Sequence, residues 1–322
     1  MERLKRGAFL VLGRAGLDLY ADPPGTRIEE AGAFFPALGG SAANIATAIA
    51  RLGGRASLVT TVSDDAVGRY VIQQLKSYGV GTDHVRSVKS EVRTSLAVVE
   101  TRAENCQSVL YRNNAADFEL DEKDIEALDY DHASALIITG TALAHEPSRS
   151  ATFKALSLAR AAQCPIILDI DYRPYSWVSR EEAARVSNEA AYQADILVGN
   201  DEEFNVLAGS DEGLNHAQQF VEARKSIIVY KRGEKGLIAF AEGETITMGI
   251  YPVTALKPTG AGDAFMGGFV TGLSEALSLK TCLERGAASA ALVVTRVGCS
   301  PANPTRDELR DFMATHQPAN AI

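Results

Sequence analysis

The sequence predicts an α/β fold: a central, mostly parallel β-sheet with helices on both faces and a small β lid. Three observations point there. Short apolar runs alternate with helix-length segments through most of the 322 residues. Those runs are apolar at nearly every position, as in strands buried on both faces of a helix-sandwiched sheet. In one interval the alternation stops and two β-type runs follow each other, which suits a hairpin inserted as a lid.

In chain order, Ala8–Leu12, Ser57–Val62, Ala135–Thr139, Pro165–Ile170, Ile196–Val198 and Ser226–Lys231 read as buried strands. Ser41–Leu52, Val67–Tyr78, Pro147–Ala162 and Arg180–Ala191 lie between them at helix length. The exception runs from Arg93 to Tyr111, where TSLAVVE and SVLYR flank a polar TRAENCQ. Gly236–Phe240 and Thr245–Ile250, around Glu242-Gly243, read as a hairpin at the sheet's edge. Two long helical segments follow, Gly262–Glu275 and Leu279–Thr295, and the tail from Gln317 is expected to fray. There is no internal repeat or linker.

Composition excludes several classes. With 32 basic against 41 acidic residues the chain carries no nucleic-acid footprint. No apolar run approaches the roughly 20 residues of a membrane span, and Ala8–Leu12 is too short for a signal-peptide core despite Arg3, Lys5 and Arg6 before it. Cys106, Cys164, Cys282 and Cys299 form neither a disulfide framework nor a zinc site. A cytoplasmic protein without a built-in metal, nucleic acid or membrane partner is expected.

The most informative segment is Pro258-Thr259-Gly260-Ala261-Gly262-Asp263-Ala264-Phe265, which leads into a helix. Its glycines let the main chain approach a ligand, and the helix start presents N–H groups and a positive dipole end. Such an anion hole suits the charge that builds on a transferring phosphoryl group. Asp263 at its mouth is either a base for an attacking hydroxyl or an acidic first-turn residue stabilising the dipole. Gly39-Gly40-Ser41-Ala42-Ala43-Asn44 opens a second helix. Asn44 there offers a donor and an acceptor to a hydroxyl, unless the segment is only a helix start capped by Ser41. Asp18, after the first strand, is an acceptor suited to sugar hydroxyls or a solvated loop carboxylate.

GRAGLD, GGSAANIATAIARLG, SDDAVGRYVIQQLKSYGV, NDEEF, KRGEKG and TGAGDAFMGGF occur here in one order. Together they resemble the ribokinase-like (PfkB) family of carbohydrate kinases along the whole chain. The resemblance implies a single kinase domain over residues 1–322, with its β lid built from segments within about 14–38 and 93–115. It implies ATP and Mg²⁺ as cofactors, with a monovalent cation as a further option, and a homodimer. It makes Asp263 the catalytic base and the amides of Gly260, Ala261 and Gly262 the anion hole. Asp18, Gly39, Gly40 and Asn44 would hold the sugar. Asn200 and Glu203 match the family's NxxE motif, which helps place Mg²⁺ and the ATP phosphates, Glu203 reaching the metal directly or through water. Gly233 and Gly236 would border the nucleotide.

Tyr111-Arg112, followed by NNAAD, and the run Asp169 to Pro174 with Trp177 resemble members of the family that act on keto sugar acids. A guanidinium fork pairs bidentately with a carboxylate, so Arg112 and Arg173 are the candidate substrate-acid ligands, with Arg14 a third. Arg173 has the alternative of pairing with Asp169 or Asp171. Two positions depart from the family: Lys257-Pro258 stands where Asp-Thr is common, and Ala287 where an Asn often lies beside the adenine. The expected reaction is phosphorylation of a primary hydroxyl of a keto sugar acid. Alternatives are a 2-keto-3-deoxygluconate kinase, a neutral-sugar kinase for fructose or ribose, and a catalytically silent sugar or nucleotide sensor. A Rossmann oxidoreductase lacks its GxGxxG after the first strand. The histidines share no metal-ligand spacing, and Met266 reads as core.

Overall fold

In a computed structural model, residues 4, 7–224 and 227–320 are described. Arg3, Lys5, Arg6 and Ser226 lie outside those residues. The chain divides into two compact units, one holding Gly13–Glu119 with Tyr251–Gln317, the other Leu120–Ile250 with the segment that ends at Leu12.

The elements run as follows. After β1 (Phe9–Leu12), the chain builds the first unit with β2 (Gly16–Asp22), β3 (Ala33–Gly39), α1 (Ser41–Arg51), β4 (Ala56–Ser63), α2 (Ala66–Ser77), β5 (Val85–Val88), β6 (Ser95–Val99) and β7 (Ser108–Tyr111). The second unit takes α3 (Glu122–Glu126), β8 (Ala135–Thr139), α4 (Ser148–Ala161), β9 (Ile166–Asp169), α5 (Arg180–Ala191), β10 (Ile196–Asn200), α6 (Asp201–Ala208), α7 (Gly213–Arg224), β11 (Ile227–Lys231), β12 (Leu237–Ala241) and β13 (Glu244–Met248). The first unit is completed by α8 (Ala261–Ser274), α9 (Leu279–Val294) and α10 (Arg306–Thr315).

Within the second unit the strands lie in the order β13-β12-β11-β10-β9-β8-β1. All pairs from β1 to β11 are parallel, and only the β12 and β13 edge is antiparallel. Every residue of β8 and β9 is buried, as their unbroken apolar runs require when helices flank a sheet. Polar and charged residues gather where these strands end, at Asp169, Asn200 and Lys231.

The first unit carries a smaller sheet in the order β3-β2-β6-β7. β2 pairs antiparallel with β3 and parallel with β6, and β6 pairs antiparallel with β7. Paired residues share a face, so Asp18, Tyr20, Ala37 and Ala97 lie on one side. Tyr20, Ala37, Ala97 and Val99 pack there with Cys299. Behind them α8 packs against both α1 and α9. From Ala264 to Leu273 it is buried without interruption, Met266 included. That burial fixes the first turns of α1 and α8, where the candidate residues sit.

Candidate active site

The first unit holds the candidate catalytic cluster. Gly260 is the N-cap of α8 with φ +84°, a left-handed conformation that suits glycine. Space demands glycine as well, since a Cβ there would stand 2.8 Å from Cys299 Sγ. The first-turn amides of Ala261 and Gly262 have no carbonyl one turn back to bond within the helix. Asp263, half-buried in the same turn, accepts a hydrogen bond at Oδ2 from Asn44 Nδ2 (2.8 Å). Asn44 cannot turn over freely, because its Oδ1 accepts from Ser300 Oγ (2.7 Å). Ser300 thus orients Asn44, and Asn44 orients Asp263.

Asp18, from β2, is nearly buried and lies against Gly39, where any side chain would collide with its carboxylate. Its Oδ2 accepts from the Tyr20 hydroxyl (3.1 Å), which also lies 3.2 Å from Cys299 Sγ. Among the described residues its buried Oδ1 has no hydrogen-bond partner. Burial pushes the Asp18 pKa up, and Arg14, Tyr20 and Lys257 hold it back. A substrate hydroxyl donating to Oδ1 would relieve an unmet acceptor worth about 1–3 kcal/mol. Helix α1 begins one step earlier than a Ser41 cap would have it. Gly40 is the N-cap, and Ser41 Oγ is buried without a partner among the described residues.

Arg112 is enclosed rather than presented. It is 7% exposed, its Nε and Nη2 donate to Asp117 Oδ2 (3.1 and 2.5 Å), and it stacks 4.2 Å from the Phe118 ring centroid. A counter-ion five residues along the chain therefore offsets its desolvation without a substrate. Arg14 donates from Nη1 to Ser95 Oγ (2.9 Å).

The second unit gathers charged groups at the carboxyl ends of its parallel strands, the usual ligand edge of such a sheet. Asn200 and Glu203 form a capping box on α6, with Asn200 N–H donating to Glu203 Oε2 (2.7 Å) and Glu203 N–H to Asn200 Oδ1 (2.9 Å). Glu203 is buried, which raises its pKa against the pull of Lys231 and Arg173. Asp169 lies 4.0 Å from Lys231 Nζ. Arg173 Nη2 pairs with buried Asp171 Oδ1 (2.9 Å), yet the Arg173 side chain stays 46% exposed. Asp171 itself has φ +40°, a strained value of the kind that gathers at functional sites. Gly233 and Gly236 sit in the turn between β11 and β12, both with positive φ.

The chain is similar to proteins of known activity. Residues 8–306 match the pfkB family carbohydrate kinase profile. The chain is 37% identical over 319 residues to the 5-dehydro-2-deoxygluconokinase of Geobacillus kaustophilus, covering 97% of this chain and 95% of that protein. Identity is also 37%, over 314 residues, to the 5-dehydro-2-deoxygluconokinase of Photobacterium profundum, covering 96% of this chain and 95% of that one. A double mutant of fructokinase from Vibrio cholerae O395, bound to fructose, ADP and a potassium ion, superposes with a TM-score of 0.85 at 27% identity, covering 96% of this chain and 99% of that one. The chain belongs to the pfkB family of carbohydrate kinases. It is an enzyme that phosphorylates sugars, on a ribokinase-like fold. Among the described residues no helix is long and apolar enough to cross a membrane.

Proposed function

We propose that this enzyme transfers the γ-phosphoryl group of ATP to a primary hydroxyl of a keto sugar acid, 5-dehydro-2-deoxy-D-gluconate, in inositol catabolism. The observation that carries the site reading is the chain Ser300–Asn44–Asp263, which holds a carboxylate in the first turn of the helix that the glycine turn opens. Asp263 takes the proton of the attacking hydroxyl. The turn amides of Gly260, Ala261 and Gly262 receive the charge that grows on the phosphoryl oxygens. Asp18, through its unpartnered Oδ1, and Asn44 hold the sugar hydroxyls. Gly39 lets that carboxylate come close to the main chain, and Gly40 starts the helix that carries Asn44.

Asn200, Glu203, Gly233 and Gly236 serve the nucleotide. Hard cations take carboxylate oxygens, and the buried, burial-strained Glu203 is such a donor, acting directly or through water. Mg²⁺, when bound with ATP, neutralises phosphate charge. Arg173 is the favoured ligand of the substrate carboxylate, because its side chain stays half exposed while Arg112 is sealed against Asp117. The four cysteines are free thiols, which fits a reducing cytoplasm. A homodimer is supported by the face of the small sheet opposite Asp18. Phe34, Val109 and Tyr111 share that face by register and stay 39%, 46% and 60% exposed. Equilibrium sedimentation giving only the monomer mass would overturn the dimer.

The deciding experiment for the reaction is coupled ADP release over a panel of sugar acids and neutral sugars. Charge-assisted bonds contribute about 1.5–3 kcal/mol, so the keto acid should exceed fructose and ribose in kcat/KM by about tenfold or more. A preference for the neutral sugars would sink the sugar-acid reading. The panel includes 2-keto-3-deoxygluconate, so a preference for that acid would also show.

A further inference from the structure

We propose that Lys257 is a positioning residue whose ammonium group braces the Gly260–Asp263 turn from within the protein. In this role it supplies the fixed positive charge that a bound monovalent cation would give, and turnover needs no such ion. The inference rests on the reading of that turn as the phosphoryl-transfer site.

Lys257 is 0% exposed and among the largest fully buried side chains. It reaches no solvent, so it is not a surface charge. Its backbone is pinned, because the amides of Leu256 and Lys257 both donate to the Val294 carbonyl at the end of α9 (2.8 and 3.2 Å). Its Nζ donates to the Thr259 carbonyl (2.5 Å), one peptide before Gly260. The ammonium therefore grips the backbone that enters the anion hole.

Several groups act on it from the elements around. Asp18 comes from β2, Asp263 from α8, Cys299 from the segment after α9, and Cys106 from the connection between β6 and β7. Burial lowers the Lys257 pKa, and all four of these oppose that fall. Cys299 is a neutral thiol, pushed up to about 11 by burial and hydrogen-bonded to Tyr20. Arg14 is the other cation acting on Asp18. The two carboxyl groups that act on this buried lysine are thus the ones assigned to the sugar and its proton.

An ammonium and a potassium ion are both compact monovalent cations that bind backbone carbonyl oxygens. A potassium ion is bound in the Vibrio cholerae fructokinase double mutant. Here the cation is covalently part of the chain, so occupancy does not depend on salt. The ammonium itself is wholly buried beside the turn assigned to phosphoryl transfer, where a fixed positive charge would act on the developing phosphoryl charge.

The test compares KCl with tetramethylammonium chloride at equal ionic strength. The wild-type apoprotein should melt within about 1 °C in the two salts, and wild-type kcat should agree within about twofold. Lys257→Gln should lose about 10²–10³ in kcat, the range found when one such charge-stabilising group is removed. Its acid limb should move to higher pH, because Asp18 loses a cation that restrains its raised pKa. A merely structural lysine would lower the melting temperature and leave that limb in place, which would overturn the proposal. So would a rise of several degrees in wild-type melting, or a severalfold rise in kcat, on adding potassium. The salt comparison needs no variant, so a Lys257→Gln chain that fails to fold leaves the proposal testable. Wild-type protein inactive on every sugar and sugar acid would instead refute the kinase-site reading, while its melting curves still decide the cation.

Discussion

Replacing Asp263 by Asn separates the chemistry of the site from its architecture. Asp263 Oδ2 accepts from Asn44 Nδ2 at 2.8 Å, and Ser300 keeps that amide nitrogen pointed at it. In Asp263→Asn the new side chain can present its carbonyl oxygen to the same donor. The bond drops from a charge-assisted one, about 1.5–3 kcal/mol, to a neutral one, about 0.5–1.5 kcal/mol. The expected stability loss is about 1 kcal/mol, or about 2 °C in melting temperature for a chain of this size. Catalysis should suffer far more, because the amide cannot take the hydroxyl proton. Loss of a general base costs about 10²–10⁴ in rate, equivalent to about 3–5 kcal/mol of barrier. Coupled ADP release measures the rate, calorimetric ATP titration checks the nucleotide site, and a thermal melt checks the fold. A variant that keeps more than about a tenth of wild-type turnover would show that Asp263 is not the base. A collapse of ATP binding together with the rate would place it in architecture instead.

Ser300→Ala removes the donor that holds Asn44 Oδ1 and loosens the amide that donates to Asp263, so kcat should fall about tenfold, one buried hydrogen bond's worth. Unchanged kinetics would show that Asn44 is oriented by something else. Arg173→Met should raise KM for the sugar acid about tenfold or more with little effect on neutral sugars, and equal losses would make its pairing with Asp171 purely structural. Asp65 caps α2 by accepting from Val67 and Gly68 N–H (2.9 and 3.0 Å), so Asp65→Ala should cost about 1 kcal/mol at neutral pH. Burial opposes its ionisation, but the bonds from Gly68, Ser63 and Val67 win and hold the folded pKa below the ordinary value. Its stabilisation is therefore complete above about pH 4 and fades as pH falls through the folded value. Wild type and variant should converge in acid melts, and a gap that does not narrow as pH falls would argue against the cap.

What could be read from the chain alone was whatever is local along it. The strands of the large sheet announce themselves through unbroken apolar runs, and the GAGD turn through its glycines, because those requirements fall on consecutive residues. Partnerships were harder. β2 pairs parallel with β6 across nearly 80 residues, and no local pattern in GLDLYAD reports such a distant neighbour. Ser300 and Asn44 lie 256 residues apart, so the residue that orients the candidate base leaves no motif beside it. Arg112 shows the opposite difficulty. Its counter-ion is only five residues away in NNAAD, but an Arg next to a lid reads equally as a ligand or as half of a buried pair until burial is known. Lys257 was visible as a departure from the family pattern, while its meaning required its complete burial and the direction of its Nζ. A charged residue in a sequence states only that a cost will arise. Which group offsets that cost, a neighbour in the fold or a substrate, is decided by non-local packing. The roles proposed for Asp18, Arg173 and Lys257 therefore follow from where their charges are sealed or left open, and not from their residue types.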